Sequence, residues 1–579
     1  MKFWKKLTAL LSVSVLTASL VASNFSVSNK VNTDAASSTN NDDWLHVCGN
    51  QIHDANCKKV WLTGVNWFGF NCTENILHGW WASVDVGEMV GGIADKGFNL
   101  IRVPISVELL VSWMNGAPLK AAGVTAYPSV NDDLIDIKTD SMALFDYFMG
   151  LCKKYGLKVM VDIHSAESDN SGHDKNLWYY GKFTSKDWQD SLVWLAGKYK
   201  NDDTLIAYDL KNEPHGKAAE AKAGTGAKWD GSTDLNNWKY AAETCGKAIL
   251  AVNPNALIMI EGVETTPVAG HTYAEDPIGY PVITNYYGAW WGGNLREVKN
   301  HPITLKNPST GKSQLVYSPH EYGPSVYQQS WFNKNFTLQT LHDDYMHDTW
   351  DYLLPDYPLL IGEWGGHMDG GDNQKWMTIM RDYMIENMVH HTFWCYNPNS
   401  GDTGGLIGND WKTWDMKKYG LVEPALWKSG SKYIGLDHQI PLGKNGMTLT
   451  DYYGGTIPTE PKTEATTATT TTTAVTTTVT TTTTTTVTAP ITEATPPTTT
   501  STTPPAVIYG DVNGDKSVTI DDVVMLRLYL LNTVKYPLTE EQQAAARVIV
   551  GQSSIQGNCA VTIQDYVVEK IKTLPYASN

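Results

Sequence analysis

The feature that most constrains the fold is the alternation of short apolar runs with amphipathic segments between Trp44 and Gly435. Runs of this length that end at polar or turn residues are typical of buried strands. The segments between them space their apolar residues as helices do, for example over residues 141–155, where Gly156 is the expected stop. This alternation predicts an α/β fold, a (β/α)8 TIM barrel; a doubly wound open sheet is the alternative, but no Gly-rich phosphate loop follows the first strand. The predicted strands are residues 60–66, 98–104, 157–164, 205–213, 256–262, 315–322, 359–364 and 391–396.

Two of the predicted strands end in a glutamate. The strand over 205–213 ends at Glu213, because Pro214 cannot continue a ladder and favours an extended backbone at the residue before it. The strand over 359–364 carries Glu363 near its end. Each glutamate alone is explained equally well by pairing with a lysine or by capping a helix. Together they match glycoside hydrolysis, in which one carboxyl gives a proton and the other attacks the sugar.

The composition restricts the partners of this chain. Its formal net charge of −17 argues against nucleic acid and anionic membranes and is compatible with a neutral polysaccharide. The 22 tryptophans and 29 tyrosines far outnumber the 11 phenylalanines. Both side chains combine a flat apolar face with a polar edge, which suits stacking on sugar rings.

The N-terminal residues predict export. Three lysines precede an apolar run over residues 7–22, which is too short and too weakly flanked to span a membrane. We expect residues 1–35 to be a signal peptide and leader, and the mature protein to be secreted, with no membrane partner. Seven cysteines are too few for a disulfide scaffold, although Cys48 and Cys57 flank a predicted turn and are candidates for one bridge.

The composition changes abruptly after the barrel region. Residues 456–505 are nearly all Thr, Pro, Ala, Val and Glu without periodicity, so this segment cannot bury a core. We place the barrel domain at residues 44–435 and a tail with a disordered Thr/Pro-rich linker at 436–506. A small all-α, calcium-binding module is predicted at 507–579.

The C-terminal module begins with a calcium-loop pattern. Oxygen-bearing residues occupy the ligand positions of an EF-hand-type loop, and an apolar helix follows at once. Lys516 stands where the sharp turn favours glycine; a left-handed residue there costs about 1–2 kcal/mol, which Ca2+ binding offsets. The predicted Ca2+ ligands are Asp511, Asn513, Asp515, Ser517 through its carbonyl, and Asp522.

Several motifs together resemble glycoside hydrolase family 5, a family of retaining cellulases. The resemblance covers Trp44 to about Gly435 and implies that Glu213 is the general acid/base and Glu363 the nucleophile. Their carboxyls are then expected about 5–5.5 Å apart, with Glu213 protonated and Glu363 ionised. The motifs are Leu62-Thr63-Gly64-Val65-Asn66-Trp67-Phe68-Gly69, Ile101-Arg102-Val103-Pro104, Asp162-Ile163-His164, Asn212-Glu213-Pro214-His215, His320-Glu321-Tyr322, Ile361-Gly362-Glu363-Trp364 and, as in the endoglucanase branch, Trp291-Gly292-Gly293-Asn294-Leu295.

The same resemblance assigns substrate-binding residues. Arg102 and Tyr322 are expected to hydrogen-bond the carboxylate of Glu363, and His320 to line the same subsite. Asn212 is expected to bind the sugar 2-hydroxyl. The remaining candidates are His164 for a sugar hydroxyl, Trp394 for the floor under the reacting sugar, and Trp67, Trp290, Trp291 and Trp331 for further stacking platforms.

The C-terminal module resembles a dockerin, a calcium-dependent domain that attaches enzymes to cohesins on a cellulosome scaffold. A cohesin is therefore the implied protein partner. The second repeat departs from the pattern and offers one carboxylate, which argues against a second calcium site. Its residues at the ligand positions are Ser554, Gln556, Asn558 and Asp565.

These expectations describe a secreted endo-β-1,4-glucanase that hydrolyses cellulose or a related β-glucan by retaining double displacement. A β-mannanase or mixed-linkage glucanase on the same barrel is an open alternative, because the sequence does not show the loop shapes that decide among them. A non-catalytic carbohydrate-binding surface protein explains the aromatic residues but not the two glutamates. Catalysis is expected to need no metal or other cofactor, since no metal-ligand grouping is seen among His301, His342, His347 and His367.

Overall fold

The structure, a computed structural model, describes residues 42–279, 282–333 and 335–454 and, further along, residues 507–514, 516–531, 533, 537–550, 555, 557–567 and 573–575. The chain divides into two compact units, Met1–Thr463 and Glu464–Asn579. The predicted signal peptide and leader (1–35) and the predicted linker segment (456–506) lie outside the described residues. None of the described helices is both long and apolar enough to cross a membrane.

The first unit is built around one parallel sheet that contains all eight predicted strands. Its strands are β1 Thr63–Asn66, β2 Leu100–Ser106, β3 Lys158–Ser165, β4 Leu205–Asp209, β5 Leu257–Ile260, β6 Leu315–Tyr317, β7 His320–Tyr322, β8 Leu360–Gly365 and β9 His390–Phe393. The predicted strand over 315–322 is divided into β6 and β7 at Pro319, which has no N–H for the ladder. The sheet order is β6-β5-β4-β3-β2-β1-β9-β8-β7. The two edge strands, β6 and β7, are consecutive pieces of one chain segment, so both edges of the sheet meet at that segment. The sheet is therefore curled, which is consistent with the predicted (β/α)8 barrel.

Helices connect the strands. They are α1 Val86–Asp95, α2 Val107–Met114, α3 Ser141–Lys154, α4 Ser185–Lys198, α5 Ala218–Ala223, α6 Trp238–Val252, α7 Leu338–Leu341, α8 His347–Thr349, α9 Asp372–Asn387, α10 Met416–Val422 and α11 Leu449–Tyr453. Helix α3 begins after Asp140, whose side chain caps two backbone N–H groups, and it ends just before the left-handed Gly156. Helix α6 begins directly after its N-cap Asn237.

The inner face of the strands is apolar at one end and charged at the other. Arg102 of β2 and Asp209 of β4 contact each other across 3.0 Å. Two residues earlier on the same strands are Leu100 and Ala207, which are fully buried in one hydrophobic cluster. Residues two apart on a strand share a face. The charged groups therefore gather at the carboxyl ends of the strands, where barrel enzymes carry their active sites.

The first unit extends beyond residue 435, where the sequence placed its end. Leu436, Leu442 and Leu449 are buried. Asp437 forms a buried ion pair with Lys158 over 3.2 Å, and the same lysine lies 2.6 Å from Asp43. The boundary that we predicted at residue 435 is therefore too early. The tail up to residue 454 packs on the barrel through residues that are far away in the sequence.

The six cysteines of the first unit form no disulfide bridge. The bridge considered between Cys48 and Cys57 is absent, and both side chains are exposed. Asp54 closes that turn instead: its carbonyl accepts from the N–H of Cys57 over 3.0 Å and its carboxylate from the N–H of Lys58 over 2.7 Å. A hydrogen-bonded turn therefore replaces the covalent link.

The described residues of the second unit form three helices. These are α12 Ile520–Leu531, α13 Glu540–Ala546 and α14 Gly557–Val567. They share a small core of their own, in which Val512, Val523, Leu526 and Ile563 are buried. A helical module is what the sequence predicted for this region.

Candidate active site

Glu213 and Glu363 meet at the carboxyl end of the barrel sheet. Glu213 follows β4, and Glu363 lies within β8. An oxygen of one carboxylate lies within 4.8 Å of an oxygen of the other. Their side chains are 13% and 5% exposed, so both remain in contact with solvent. The two carboxyls are therefore close enough to act on the same bond.

The backbone at Glu213 differs from the prediction. We expected an extended residue before Pro214, but Glu213 has a φ of 50°, in the left-handed region. Its N–H donates to Oε2 of Glu261 over 2.7 Å, and its carbonyl accepts from Nδ1 of His215 over 2.7 Å. These two hydrogen bonds hold a conformation that costs roughly 1–3 kcal/mol, and such strain is common at active sites.

Arg102 is fully buried and contacts four carboxylates. Its guanidinium lies 2.7 Å from Glu363, 3.0 Å from Asp209, 3.2 Å from Asp162 and 3.3 Å from Glu261. Burial lowers the pKa of Arg102, but the carboxylates raise it further, to well above its usual value. The side chain is a fixed cation, and it makes the expected charge-assisted hydrogen bond to Glu363.

The buried carboxylates around Arg102 outnumber the nearby cations, so part of this set is protonated near neutral pH. Burial raises the pKa of Asp162 to about 7 and that of Asp209 to about 7. It raises the pKa of Glu261 to about 8. Like charges at this distance cannot all be ionised in a dry site.

His320 lies between three carboxylates. Its Nδ1 is 3.1 Å from Glu213 and 3.7 Å from Glu363, and its Nε2 is 3.1 Å from Glu261. Burial lowers the pKa of His320, but Glu261, Glu363 and Glu213 raise it well above its usual value. The side chain is 0% exposed. His320 therefore contacts the carboxylates. We had expected this side chain to line a sugar subsite, but it has no accessible surface with which to do so.

The expected protonation of Glu213 needs a correction. Burial raises the pKa of Glu213, but the hydrogen bond from His320 lowers it, and the net shift is downward. We expected the charge of Glu363 to keep Glu213 protonated. In the free site the imidazolium of His320 has the larger effect, so the proton is on His320, 3.1 Å from Oε1 of Glu213.

Tyr322 and Asn212 complete the shell around Glu363 and Arg102. The hydroxyl of Tyr322 donates to Oε2 of Glu363 over 2.6 Å, which is the hydrogen bond expected from the sequence. Arg102 donates to the side-chain oxygen of Asn212 over 3.1 Å. The amide of Asn212 is thus fixed beside Glu213, with its oxygen already used.

Trp394 and His164 form one side of the site. Their rings are parallel within 5°, with centroids 5.6 Å apart, and Phe68 lies 5.6 Å from Trp394 in a similar orientation. His164 Nδ1 is 2.7 Å from Asp162. Burial lowers the pKa of His164 well below its usual value, so the ring is neutral. Trp394 is only partly buried and keeps accessible surface for stacking.

The other tryptophan candidates differ in exposure. Trp291 is partly buried and lies flat on His215, with centroids 3.8 Å apart and planes 5° apart. Trp67 is 0% exposed and packs on Tyr396, so its assignment as a stacking platform is wrong. Trp290 and Trp331 are each 8% exposed. Of the four, Trp291 has the most suitable position.

Glu261 is a residue of this site that was not predicted from the sequence. This glutamate is 0% exposed and contacts Arg102, His320 and the backbone of Glu213. It directly follows the apolar strand β5, which is the same pattern that drew attention to Glu363. The signal was therefore present, but no motif of the resemblance included it.

Two of the predicted Ca2+ ligands in the second unit are buried carboxylates that accept backbone hydrogen bonds. Asp511 and Asp522 are 8% and 0% exposed. Asp522 accepts the N–H groups of Val512 and Asn513 over 2.7 and 2.9 Å, and Asp511 accepts that of Lys516 over 2.9 Å. Lys516 has a φ of 72°, as predicted. The fifth position, Asp515, lies outside the described residues.

Comparisons with known proteins identify the family of this chain. The model of the family described as "Cellulase (glycosyl hydrolase family 5)" matches residues 53–400. Endoglucanase G of Acetivibrio thermocellus is 52% identical over 537 residues, 88% of each chain, and Endoglucanase B of the same organism is 42% identical over 530 residues, 85% of this chain and 87% of that one. An endocellulase structure from Pyrococcus horikoshii aligns with a TM-score of 0.57 and 32% identity, over 66% of this chain and 98% of that one. With a family match that spans more than half of the chain, the protein is a glycoside hydrolase and belongs to family 5, the cellulase family.

Proposed function

We propose that the protein is an endo-β-1,4-glucanase that hydrolyses cellulose or a related β-glucan with net retention. The observation that carries the proposal is the approach of Glu213 and Glu363 to within 4.8 Å. Retaining glycosidases hold their carboxyls about 5–5.5 Å apart, whereas inverting enzymes leave roughly 6.5–9.5 Å for a water molecule. The two Acetivibrio relatives are named endoglucanases, which favours a β-glucan over a mannan.

In the first step Glu363 is the nucleophile. Arg102 and Tyr322 each donate a hydrogen bond to one oxygen of Glu363, at 2.7 and 2.6 Å, and hold the carboxylate in position for the attack. An oxygen of Glu363 bonds to the anomeric carbon while the glycosidic C–O bond breaks. Glu213 gives a proton to the departing sugar oxygen. The product of this step is a glycosyl ester on Glu363.

The proton reaches Glu213 from His320. Substrate binding displaces water from Glu213, and loss of water favours the neutral form of a carboxyl. The proton then moves from Nδ1 of His320 to Oε1 of Glu213 across their 3.1 Å hydrogen bond. The neutral imidazole of His320 stays between Glu213 and Glu261, which lies 3.1 Å from its other ring nitrogen.

In the second step Glu213 acts as a base. It takes a proton from water, whose oxygen attacks the anomeric carbon as the ester bond to Glu363 breaks. The freed sugar keeps its original configuration, and Glu363 is ionised again. Neither step uses a metal or other cofactor.

The substrate is held by stacking and directional hydrogen bonds. Trp394 forms the floor under the reacting sugar, with His164 beside it, and Trp291 supplies a second platform. Asn212 donates to the sugar 2-hydroxyl, because Arg102 already occupies its side-chain oxygen. This contact strengthens as the ring approaches the transition state.

The test is a product analysis on pure polysaccharides. Soluble β-glucan should lose viscosity quickly with few new reducing ends, and proton NMR should show the β-anomer first. Initial appearance of the α-anomer would falsify the retaining assignment. Equal rates on linear mannan and carboxymethyl cellulose would instead favour the β-mannanase alternative, and absence of turnover the non-catalytic one.

For the second unit we propose a dockerin that binds structural Ca2+ and docks on a cohesin, which places the secreted enzyme in a cellulosome. The buried Asp511 and Asp522 support the ion site. The match to Endoglucanase G covers 88% of this chain, whereas the first unit ends at residue 463 of 579, so the similarity continues beyond that unit. A chelator should abolish cohesin binding and leave β-glucan hydrolysis unchanged. Cohesin binding that survives chelation would contradict the proposal.

A further inference from the structure

A cluster of histidine and aspartate lies between β7 and β8, outside the active site. There α7 continues into a π-helix, His342–Met346, which is followed by α8 and by the short helix Asp351–Leu353. A π-helix joins residues five apart by hydrogen bonds, so His342 and His347 lie on one face. Their ring centroids are 5.0 Å apart. On an α-helix this spacing separates two side chains, which explains why the sequence showed no metal-ligand grouping.

Asp351 supplies a third ligand group. Its Oδ2 lies 2.8 Å from Nε2 of His342. One ligand atom each of His342, His347 and Asp351 lies within 4.8 Å of the others. Transition-metal bonds to such atoms are about 2.0–2.2 Å long. Small side-chain rotations therefore bring all three atoms onto one ion.

Two of the ligand groups already have supporting partners. Nδ1 of His342 lies 3.2 Å from a carboxylate oxygen of Asp343. The hydroxyl of Tyr383 donates to Oδ1 of Asp351. These contacts leave Nε2 and Oδ2 facing the cluster. Metal-binding histidines and carboxylates are oriented in this way by their neighbours.

We propose that His342, His347 and Asp351 bind a divalent transition metal, with Zn2+ the best match. Two imidazoles and one carboxylate suit Zn2+, whereas Ca2+ and Mg2+ prefer sites made only of oxygen. The side chain of His342 is 34% exposed, and His347 is exposed, so an ion reaches the site from solvent. Water completes the coordination.

The ion has a structural role in this site. Tyr345, within the π-helix, stacks on Trp331 at a centroid distance of 3.8 Å and donates to the buried Glu321 over 2.9 Å. Bound metal therefore fixes a segment that packs into the first unit. Since none of the three ligands touches Glu213 or Glu363, Zn2+ should raise the Tm and leave kcat unchanged.

A second group in the same unit complicates the test. Cys72, Glu74 and His78 also bring one ligand atom each within 4.8 Å of the others. That group contains a thiol, so Co2+ bound there has a thiolate charge-transfer absorption that Co2+ held by His342, His347 and Asp351 lacks. The two sites are thus distinguishable in the intact chain.

The experiment is a Zn2+ titration of the full chain, expressed without a histidine tag and saturated with Ca2+ beforehand. We expect one Zn2+ equivalent whose affinity falls by more than about tenfold in both His347→Ala and Asp351→Asn. The matched control is His271→Ala, which removes a partly exposed histidine paired with a single carboxylate, Glu275, among the described residues. The His271→Ala and Cys72→Ser variants should still bind one equivalent of Zn2+ without this loss of affinity. Circular dichroism and β-glucan hydrolysis verify that each variant is folded.

Zn2+ should also raise the Tm of the parent protein but not that of His347→Ala. Unchanged Zn2+ affinity and Tm response in His347→Ala would overturn the proposal. Loss of the equivalent in Cys72→Ser alone would overturn it as well, by assigning the ion to the thiol-containing group.

Discussion

The backbone N–H of Glu213 donates to the carboxylate of Glu261 over 2.7 Å, and this hydrogen bond ties the segment after β4 to the end of β5. The second carboxylate oxygen of Glu261 is 3.1 Å from His320 and 3.3 Å from Arg102. Glu261 thereby holds the backbone of Glu213, the proposed acid, and contacts His320, the proposed proton donor. It is a positioning residue, since it is fully buried.

Replacing Glu261 should separate these two effects. Glu261→Ala removes the acceptor for Glu213, and a misplacement of about 1 Å can cost roughly 100-fold in rate. We expect kcat on soluble β-glucan to fall by about that factor with little change in KM. Glu261→Gln keeps an acceptor but removes a carboxyl whose pKa is raised to about 8, so the variant lacks the negative charge that Glu261 places beside His320 at alkaline pH. It should retain more activity, and the basic limb of its pH–rate profile should move to lower pH.

Steady-state kinetics across pH will check this prediction. An Ala variant with unchanged kcat would show that Glu213 does not need this hydrogen bond. Identical pH profiles for Glu261→Gln and the parent protein would show that Glu261 does not influence the charge of His320.

Gly292 should be intolerant of a side chain for the same reason. A Cβ there would lie 2.1 Å from Oε2 of Glu261, and the residue has a φ of 69°. Gly292→Ala should therefore lower kcat as Glu261→Ala does and lose about 1–2 kcal/mol of stability. The matched control is Gly270→Ala: Gly270 has a φ of 90°, but nothing lies within 4 Å of its Cβ position. Gly270→Ala should lose stability but keep the kcat of the parent protein. Equal kcat values for the two variants would contradict the prediction.

Much of this architecture was predictable from hydrophobic periodicity and from the residues at the ends of the predicted strands. The barrel strands were found because each is a short apolar run, and Arg102, Glu213 and Glu363 because motifs mark them. The left-handed backbone at Glu213 was not predictable. It depends on a hydrogen bond to Glu261, which is distant in the sequence, and on one from the ring of His215, which the sequence motif does not indicate. The burial of Trp67 depends on packing against Tyr396, which the local motif does not contain.

Charge states were the least predictable part of the site. The sequence suggested a simple pair of carboxyls that repel each other. The structure adds His320 between them, and its imidazolium reverses the expected shift in the pKa of Glu213. The position of the tail after residue 435 was missed for a related reason, since Asp437 pairs with Lys158, 279 positions away.

Substrate preference should depend on Asn212 more than on Trp394. Stacking on Trp394 is tolerant of which sugar is bound, whereas the 2-hydroxyl is equatorial in glucose and axial in mannose. A poorly matched polar group costs roughly 1–3 kcal/mol, and 1.4 kcal/mol corresponds to about tenfold. We predict at least about tenfold higher kcat/KM on glucan than on mannan. Trp394→Ala should lower all rates alike, and Asn212→Ala should reduce the preference. A preference unaffected by Asn212→Ala would contradict this role.

The stability of the first unit should fall at alkaline pH because of His438. This residue lies 2.6 Å from Asp43 and 3.0 Å from Asp54. Burial lowers its pKa, but the two carboxylates raise it to about 10. Because the folded pKa is the higher one, the stabilisation is complete below about pH 6.5, the unfolded value, and is lost as the pH rises towards 10.

Urea unfolding followed by tryptophan fluorescence will measure this loss, since no tryptophan follows Trp427 and the signal reports on the first unit. With solvent screening, we expect a decrease of about 1–3 kcal/mol between about pH 6 and pH 10. His438→Gln should be less stable near pH 6 and show a smaller decrease. A variant with the same pH dependence as the parent protein would rule out His438 as the cause.

The central claim is that Glu363 attacks the sugar while Glu213 supplies the proton. A β-cellobioside with fluorine at C2 and a dinitrophenyl leaving group tests it most directly, since fluorine slows the breakdown of a glycosyl ester and the leaving group needs no acid. Peptide mass spectrometry after incubation should find one label, on Glu363, and Glu213→Gln should still be labelled because no proton is required. A label on Glu213, or turnover of the probe with inversion and no label, would contradict the mechanism.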